Sequence, residues 1–197
     1  MTGVTDIQPA VERHPLEPFM PEGAKILMLG SFPPKRERWS MEFFYPNFNN
    51  DMWRIIGLIF YGDKSFFIRP DGKHFDRMKA ENFCREKGIA LYDTACEVRR
   101  LRDNASDKFL EIVSPTDIIA LLPGIPDCRA IVTTGQKAAE TAAVIFGCQV
   151  PATGTFEETE GRVRRLWRMP STSRAYPLSI EKKAEAYRKM FTLEGLI

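Results

Sequence analysis

Two short segments hold the side chains with most to offer chemically. In YPNFNNDMW, residues 45–53, Asn50 stands where a helix begins, three residues before Trp53 and five after Tyr45. A side-chain amide both donates and accepts hydrogen bonds, so Asn50 can orient a water or the polar edge of a ligand. The plainer reading makes Asn50 or Asn49 the N-cap of the helix that follows. In PSTSR, Pro170–Arg174, three small hydroxyl residues precede a cation, which also fits an ordinary polar loop ahead of a helix cap at Ser179. A third segment, GSFPPK (residues 30–35), follows an apolar run and invites comparison with a phosphate cradle. It lacks the second glycine and the Lys-Ser/Thr pair of a P-loop, and it is no G-x-G-x-x-G, so ATP and dinucleotide binding find little support.

Other chemistries fall away on composition. The two histidines, His14 and His74, have no nucleophile partner in sequence and read as surface or arm residues; there is neither an H-E-x-x-H nor a G-x-S-x-G segment. Cys84, Cys96, Cys128 and Cys148 form no C-x-x-C pair, which argues against zinc or iron–sulfur sites and for reduced thiols. The net charge of +2 shows no bulk basicity. Cations cluster locally at Lys35, Arg36 and Arg38, at Arg99, Arg100 and Arg102, and at Arg162, Arg164, Arg165 and Arg168; such runs serve phosphates or are simply a solvated face. No apolar run is long enough to cross a membrane and no signal peptide opens the chain, so a cytoplasmic protein is expected.

The positioning elements follow from periodicity. Residues 1–24, with Pro9, Pro15, Pro18 and Pro21, read as an extended N-terminal arm, and residues 25–197 as a single α/β domain. KILMLG (25–30), IALYD (89–93), RAIVTTG (129–135) and RVRRLWRMP (162–170) read as strands. Helices are expected over residues 50–61, over 75–87 with a stop at Gly88, from an N-cap at Ser114 with Pro115 first in the helix through Leu122, over 136–146, and from Ser179 to about Leu193. Strands alternating with helices predict a mainly parallel four-stranded sheet covered on both faces. Ligands then bind beyond the strand ends Gly30-Ser31, Asp93-Thr94, Thr134-Gly135 and Pro170-Ser171.

In order along the chain, LGSFPP, the aromatic stretch closing in Asn50-x-x-Trp53, GIALYD, TTGQKAAE and PSTSRAYPLSIEKKAEAYRKMF resemble the uracil-DNA glycosylase superfamily. Within it the likeness is nearest to the hypoxanthine-DNA glycosylases and the mismatch-specific uracil-DNA glycosylases, and it spans most of residues 25–191. The resemblance implies a three-layer α/β/α sandwich. It also implies hydrolysis of the N-glycosidic bond of a deaminated or mismatched base, uracil or hypoxanthine, in base excision repair. The expected partner is single- or double-stranded DNA carrying a damaged base; the expected enzyme is a monomer without metal or nucleotide cofactor. In the mismatch-specific enzymes the first motif is G-x-N-P, whose Asn positions the attacking water; here Phe32 fills that slot between Ser31 and Pro33. The hypoxanthine-type enzymes also hold an apolar residue there, and their catalysis is assigned to the Asn of Y-x-H-P-x-N-x-F-W. That Asn matches Asn50, with Asn47-Phe48 in place of His-Pro.

Ser31, Phe32, Pro33 and Tyr45 then line the base pocket, with Tyr45 as the stacking ring. PSTSR matches the second motif, so Ser171, Thr172, Ser173 and Arg174 meet the minor groove and phosphates. Asparagine suits the chemistry, because an oxocarbenium-like sugar needs a placed water and help for the leaving base more than a strong base. For Phe43 a place in the core is expected instead. Asp93 and Asp107 are possible further acids, Asp93 being as readily a structural acceptor at a strand end. The rival reading is a non-catalytic nucleic-acid- or nucleotide-binding module in which Phe32 has ended the chemistry.

Overall fold

In a computed structural model the chain is described over residues 9–101 and 109–197, so Arg102 and Asp107 lie outside the described residues. Short apolar runs build the centre. Every residue of β2 (Ile26–Gly30), β3 (Ile89–Asp93) and β6 (Ala130–Thr133) is buried, as parallel strands covered on both faces require. With β8 (Arg165–Arg168) they form a parallel set, and β7 (Thr155–Glu158) adds an antiparallel edge, giving the order β3-β2-β6-β8-β7.

The expected four-stranded sheet therefore needs correction: it is a five-stranded mixed sheet. A second, three-stranded antiparallel sheet joins β1 (Val11–Arg13), β4 (Ala95–Arg100) and β5 (Leu110–Pro115) in the order β1-β4-β5. These extra strands mix charged with apolar residues, and distant pairing rather than local propensity makes them strands.

The helices are α1 (Met52–Tyr61), α2 (Arg77–Lys87), α3 (Ile118–Leu121), α4 (Gln136–Phe146) and α5 (Ile180–Leu193). Ser179 caps α5 as expected, its hydroxyl accepting from the Lys182 N–H at 3.4 Å. The cap of α3 differs from expectation. Ser114 and Pro115 end β5, and the Asp117 carboxylate, accepting from the Ala120 N–H at 3.0 Å, starts the helix three residues later. Among the described residues no helix is long and apolar enough to cross a membrane.

From β2 the chain passes to β3 on one side, then crosses to β6 on the other. Neighbouring strands β2 and β6 thus send their connections in opposite directions, which opens a crevice at their carboxyl ends. The N-terminal segment is tied down twice near this end of the sheet. β1 pairs with β4, and Phe19 bridges Leu91 by two backbone bonds of 3.0 and 2.9 Å.

Candidate active site

The aromatic stretch before Asn50 folds inward. Phe43 and Phe44 are buried, Phe43 between Phe19 and Trp53, as expected for a core residue. The Trp53 indole donates to the Phe44 carbonyl at 3.0 Å and pins the turn. At the next residue the backbone enters the left-handed region, with φ of 52° for Tyr45, a conformation a bulky side chain rarely adopts without function or strong packing. That turn throws the ring across the β2–β6 crevice. Its hydroxyl lies 3.2 Å from Thr134 Oγ1, just past the end of β6. Burial first, and then the charge of Asp93, push the phenol far above its ordinary range, while the Thr134 hydrogen bond opposes them. The ring remains half-buried, with part of its surface open above the strand ends.

Asn50 begins an Asx turn: its Oδ1 accepts from the Met52 N–H at 2.9 Å. The capping reading is therefore realised in the structure, one residue ahead of Asp51, whose own side chain makes no cap bond. The Nδ2 of Asn50 takes no hydrogen bond among the described residues. Around it the backbone is locked. Arg54 lies over the rings of Phe48 at 4.4 Å and Phe75 at 5.1 Å and donates to the carbonyls of Phe48 and Asn50.

The two segments separated by more than a hundred residues meet here. Asn50 and Ser173 form an antiparallel bridge, and the Asp51 N–H donates to the Thr172 carbonyl at 2.8 Å. The Asp51 carboxylate receives Arg174 Nε at 3.1 Å and Lys183 Nζ at 3.4 Å; Lys183, 1% exposed, also donates to the Ser173 carbonyl. Ser171 is half-buried, Ser173 and Arg174 are exposed, and Thr172 is buried, holding the loop through its backbone. Beside this loop a cleft of about 450 Å³ runs to the start of α4, lined by Gly135, Gln136, Lys137, Arg168, Ser171 and Tyr176.

The first motif faces the second sheet. Phe32 packs on the small cluster of Ala95, Val98 and Leu110, edge-on to the His14 ring at 5.3 Å. The Pro33 carbonyl accepts from Arg100 Nη2 at 2.7 Å, and Ser31, buried, accepts through its carbonyl from the Ala95 N–H. Gly30 closes the strand beneath Asp93: a β-carbon there would stand 2.4 Å from Asp93 Oδ1 and 3.8 Å from Thr134 Oγ1.

His14 overturns its sequence reading. Its side chain is 2% exposed, and its Nε2 lies 2.8 Å from Asp93 Oδ2. It sits on the arm, as expected, but in the wall of the crevice and not at the surface. A contact across 79 residues leaves no local signal in the sequence. His74, by contrast, is exposed and bonded to Asp71, whose carboxyl is drawn down to about 2, first by the Lys73 backbone N–H and then by His74. Several clustered arginines are engaged inside the fold: Arg100 with Glu12, Arg162 with the Leu122 carbonyl, and Arg165 with the buried Glu194.

No protein-family model matches the sequence, and no curated protein does. Among solved structures the chain is similar to the solution NMR structure of "a putative Uracil DNA glycosylase" from Methanosarcina acetivorans. The match covers 93% of this chain and 99% of that one, at 21% sequence identity and a TM-score of 0.61. The two chains share a fold.

Proposed function

We propose that the protein is a monofunctional DNA glycosylase of the hypoxanthine or mismatch-specific uracil type. It would hydrolyse the N-glycosidic bond of an extruded, deaminated or mismatched base as a step of base excision repair. The observation that carries this reading is the meeting of two distant segments at the mouth of the parallel-strand crevice, through the Asn50–Ser173 bridge and the Tyr45–Thr134 contact. A crevice roofed by an aromatic ring and rimmed by hydroxyls and a cation suits a flipped nucleotide. The shared fold with the archaeal protein points the same way.

In this reading the Tyr45 ring stacks on the base, and Ser31, Phe32 and Pro33 line the pocket floor. Ser171, Ser173 and Arg174 meet the phosphates while Thr172 fixes their loop. The cap bond to Met52 turns the Asn50 amide so that its Nδ2 is left as a donor. Cleavage breaks the bond between C1′ and the base nitrogen, water adds to C1′, and the base leaves with a proton. Asn50 supports that step by donating to the departing base or by holding the water, without itself taking a proton.

Incubation with duplex and single-stranded oligonucleotides carrying uracil or hypoxanthine tests the reading. Free base and an abasic site are the expected products. Tight binding with no base released from any substrate would instead favour the non-catalytic module, for which Phe32 packed on the second sheet is the favouring observation.

A further inference from the structure

The arm places one side chain against the deepest acid of the crevice. His14 is held at its backbone by a bond to the Cys96 carbonyl of 2.8 Å. Its ring lies among Tyr92 at 4.5 Å, Phe32 at 5.3 Å and Phe44 at 6.3 Å. Its Nδ1 lies 2.8 Å from the Leu16 carbonyl and 3.2 Å from the Leu16 nitrogen, while Nε2 meets Asp93 Oδ2. Two residues earlier, Glu12 is clasped by Arg100 Nε at 3.0 Å, and Arg100 also holds the Pro33 carbonyl. The ring thus has neither rotational nor translational freedom.

Asp93 is held just as closely, but on one side only. One oxygen is taken by His14. The other, Oδ1, takes no hydrogen bond among the described residues and lies over Gly30, where only the missing β-carbon leaves it room. The side chain keeps 10% of its surface exposed, at the strand ends that Tyr45 spans. An ionised carboxylate accepts and cannot donate. Deamination makes the matching change in a base: the ring nitrogen of adenine or cytosine that accepts a hydrogen bond becomes an N–H in hypoxanthine or uracil. A site built to accept from that N–H rejects a base that presents a lone pair instead.

We propose that His14 is a positioning residue which holds the Asp93 carboxylate in place to accept from the ring N–H that deamination creates. Asp93 is then the base-reading group, and the N-terminal arm is a working part of the site. This rests on the glycosylase reading above.

The test is single-turnover release of hypoxanthine and uracil from duplex DNA by the full chain, with duplex affinity and melting temperature measured on the same samples. Asp93→Asn keeps the shape, but with its oxygen facing His14 its amide NH₂ meets the base N–H. Release of both bases should fall about tenfold or more per folded molecule, with duplex affinity unchanged. His14→Phe preserves the ring packing without the donor and should lose a similar factor. His14→Gln, whose amide nitrogen can reach Asp93, should stay within about threefold of wild type. Wild-type rates in Asp93→Asn, or a His14→Gln as slow as Asp93→Asn, would overturn the inference and leave the glycosylase reading standing. These two variants decide the matter even if His14→Phe does not fold. A wild-type protein that releases neither base overturns the glycosylase reading, and this inference with it.

Discussion

Gly30→Ala isolates the steric element of the crevice. Gly30 lies in a strand with no positive φ, so alanine is acceptable to its backbone and only the added β-carbon matters. That carbon would sit 2.4 Å from Asp93 Oδ1 and 3.6 Å from its Cγ. Relaxing it to an ordinary contact of about 3.5 Å requires a shift of about 1 Å. A shift of that size stretches the His14–Asp93 bond from 2.8 Å past hydrogen-bonding range. Overpacking of this kind costs about 1–3 kcal/mol. For a chain of this length each kcal/mol lowers the melting temperature by about 2–4 °C, so a fall of about 2–12 °C is expected. Thermal unfolding followed by circular dichroism measures it. The double variant Gly30→Ala with Asp93→Ala removes the clashing oxygen, so adding the β-carbon in that background should cost much less. A Gly30→Ala protein that melts with the wild type, or an equal cost in both backgrounds, would refute the reasoning.

Tyr45→Ala should weaken base binding by about 1–3 kcal/mol while Tyr45→Phe retains most of it; a purely packing role would show as lost melting temperature with activity per folded molecule unchanged. Asn50→Ala should slow single-turnover excision by about 10²-fold with little loss of DNA affinity, and Asn50→Asp should keep the cap but alter rate or lesion preference. Two such variants excising at the wild-type rate would move the chemistry elsewhere. Asp51→Ala strands the Lys183 ammonium, 1% exposed, without its carboxylate, and should cost about 3–5 kcal/mol in a denaturant titration; a loss under 1 kcal/mol would show that the pair is not buried in solution. Burial raises the phenols of Tyr45 and Tyr187 and brings Tyr92 up to about 12, so above pH of about 10 the unfolded state releases protons that the folded state keeps. Stability is then full below that pH and falls as pH rises beyond it, which melting temperatures between pH 8 and 11 will show.

The parallel strands were legible because burial on both faces writes an uninterrupted apolar run, as in IALYD ending at Asp93. The helix stops at Gly88 and Gly147 were legible for a local reason too, both being left-handed C-caps. The strands of the second sheet were not. ACEVRR alternates imperfectly, carries two arginines, and bulges near Glu97, so only its pairing with β1 and β5 identifies it. At Ser114 two capping signals competed, and Asp117 prevailed because β5 extends through Pro115. In the site, the segments around Asn50 and Ser173 could be named from sequence, but not that they pair. Arg174 was expected at phosphates, and the structure gives it Asp51 and Asn49 as neighbours. His14 was set aside because its partner lies 79 residues away, a distance over which one sequence carries no physical signal.

The Lys183–Asp51 pair joins positions 132 residues apart, and the Tyr45–Thr134 contact spans 89. Contacts of such separation form late, because the loop they close must be ordered before they repay it. The central strands can pair and the helices can coil while the crevice still lacks its rim. On refolding from denaturant, helical signal should therefore return before any function that depends on the Asn50–Ser173 bridge. During synthesis the same order holds: the rim cannot close around Asp51 until α5 has emerged. A nascent chain with its sheet complete but its last helix still in the ribosome is folded in its core and has no site.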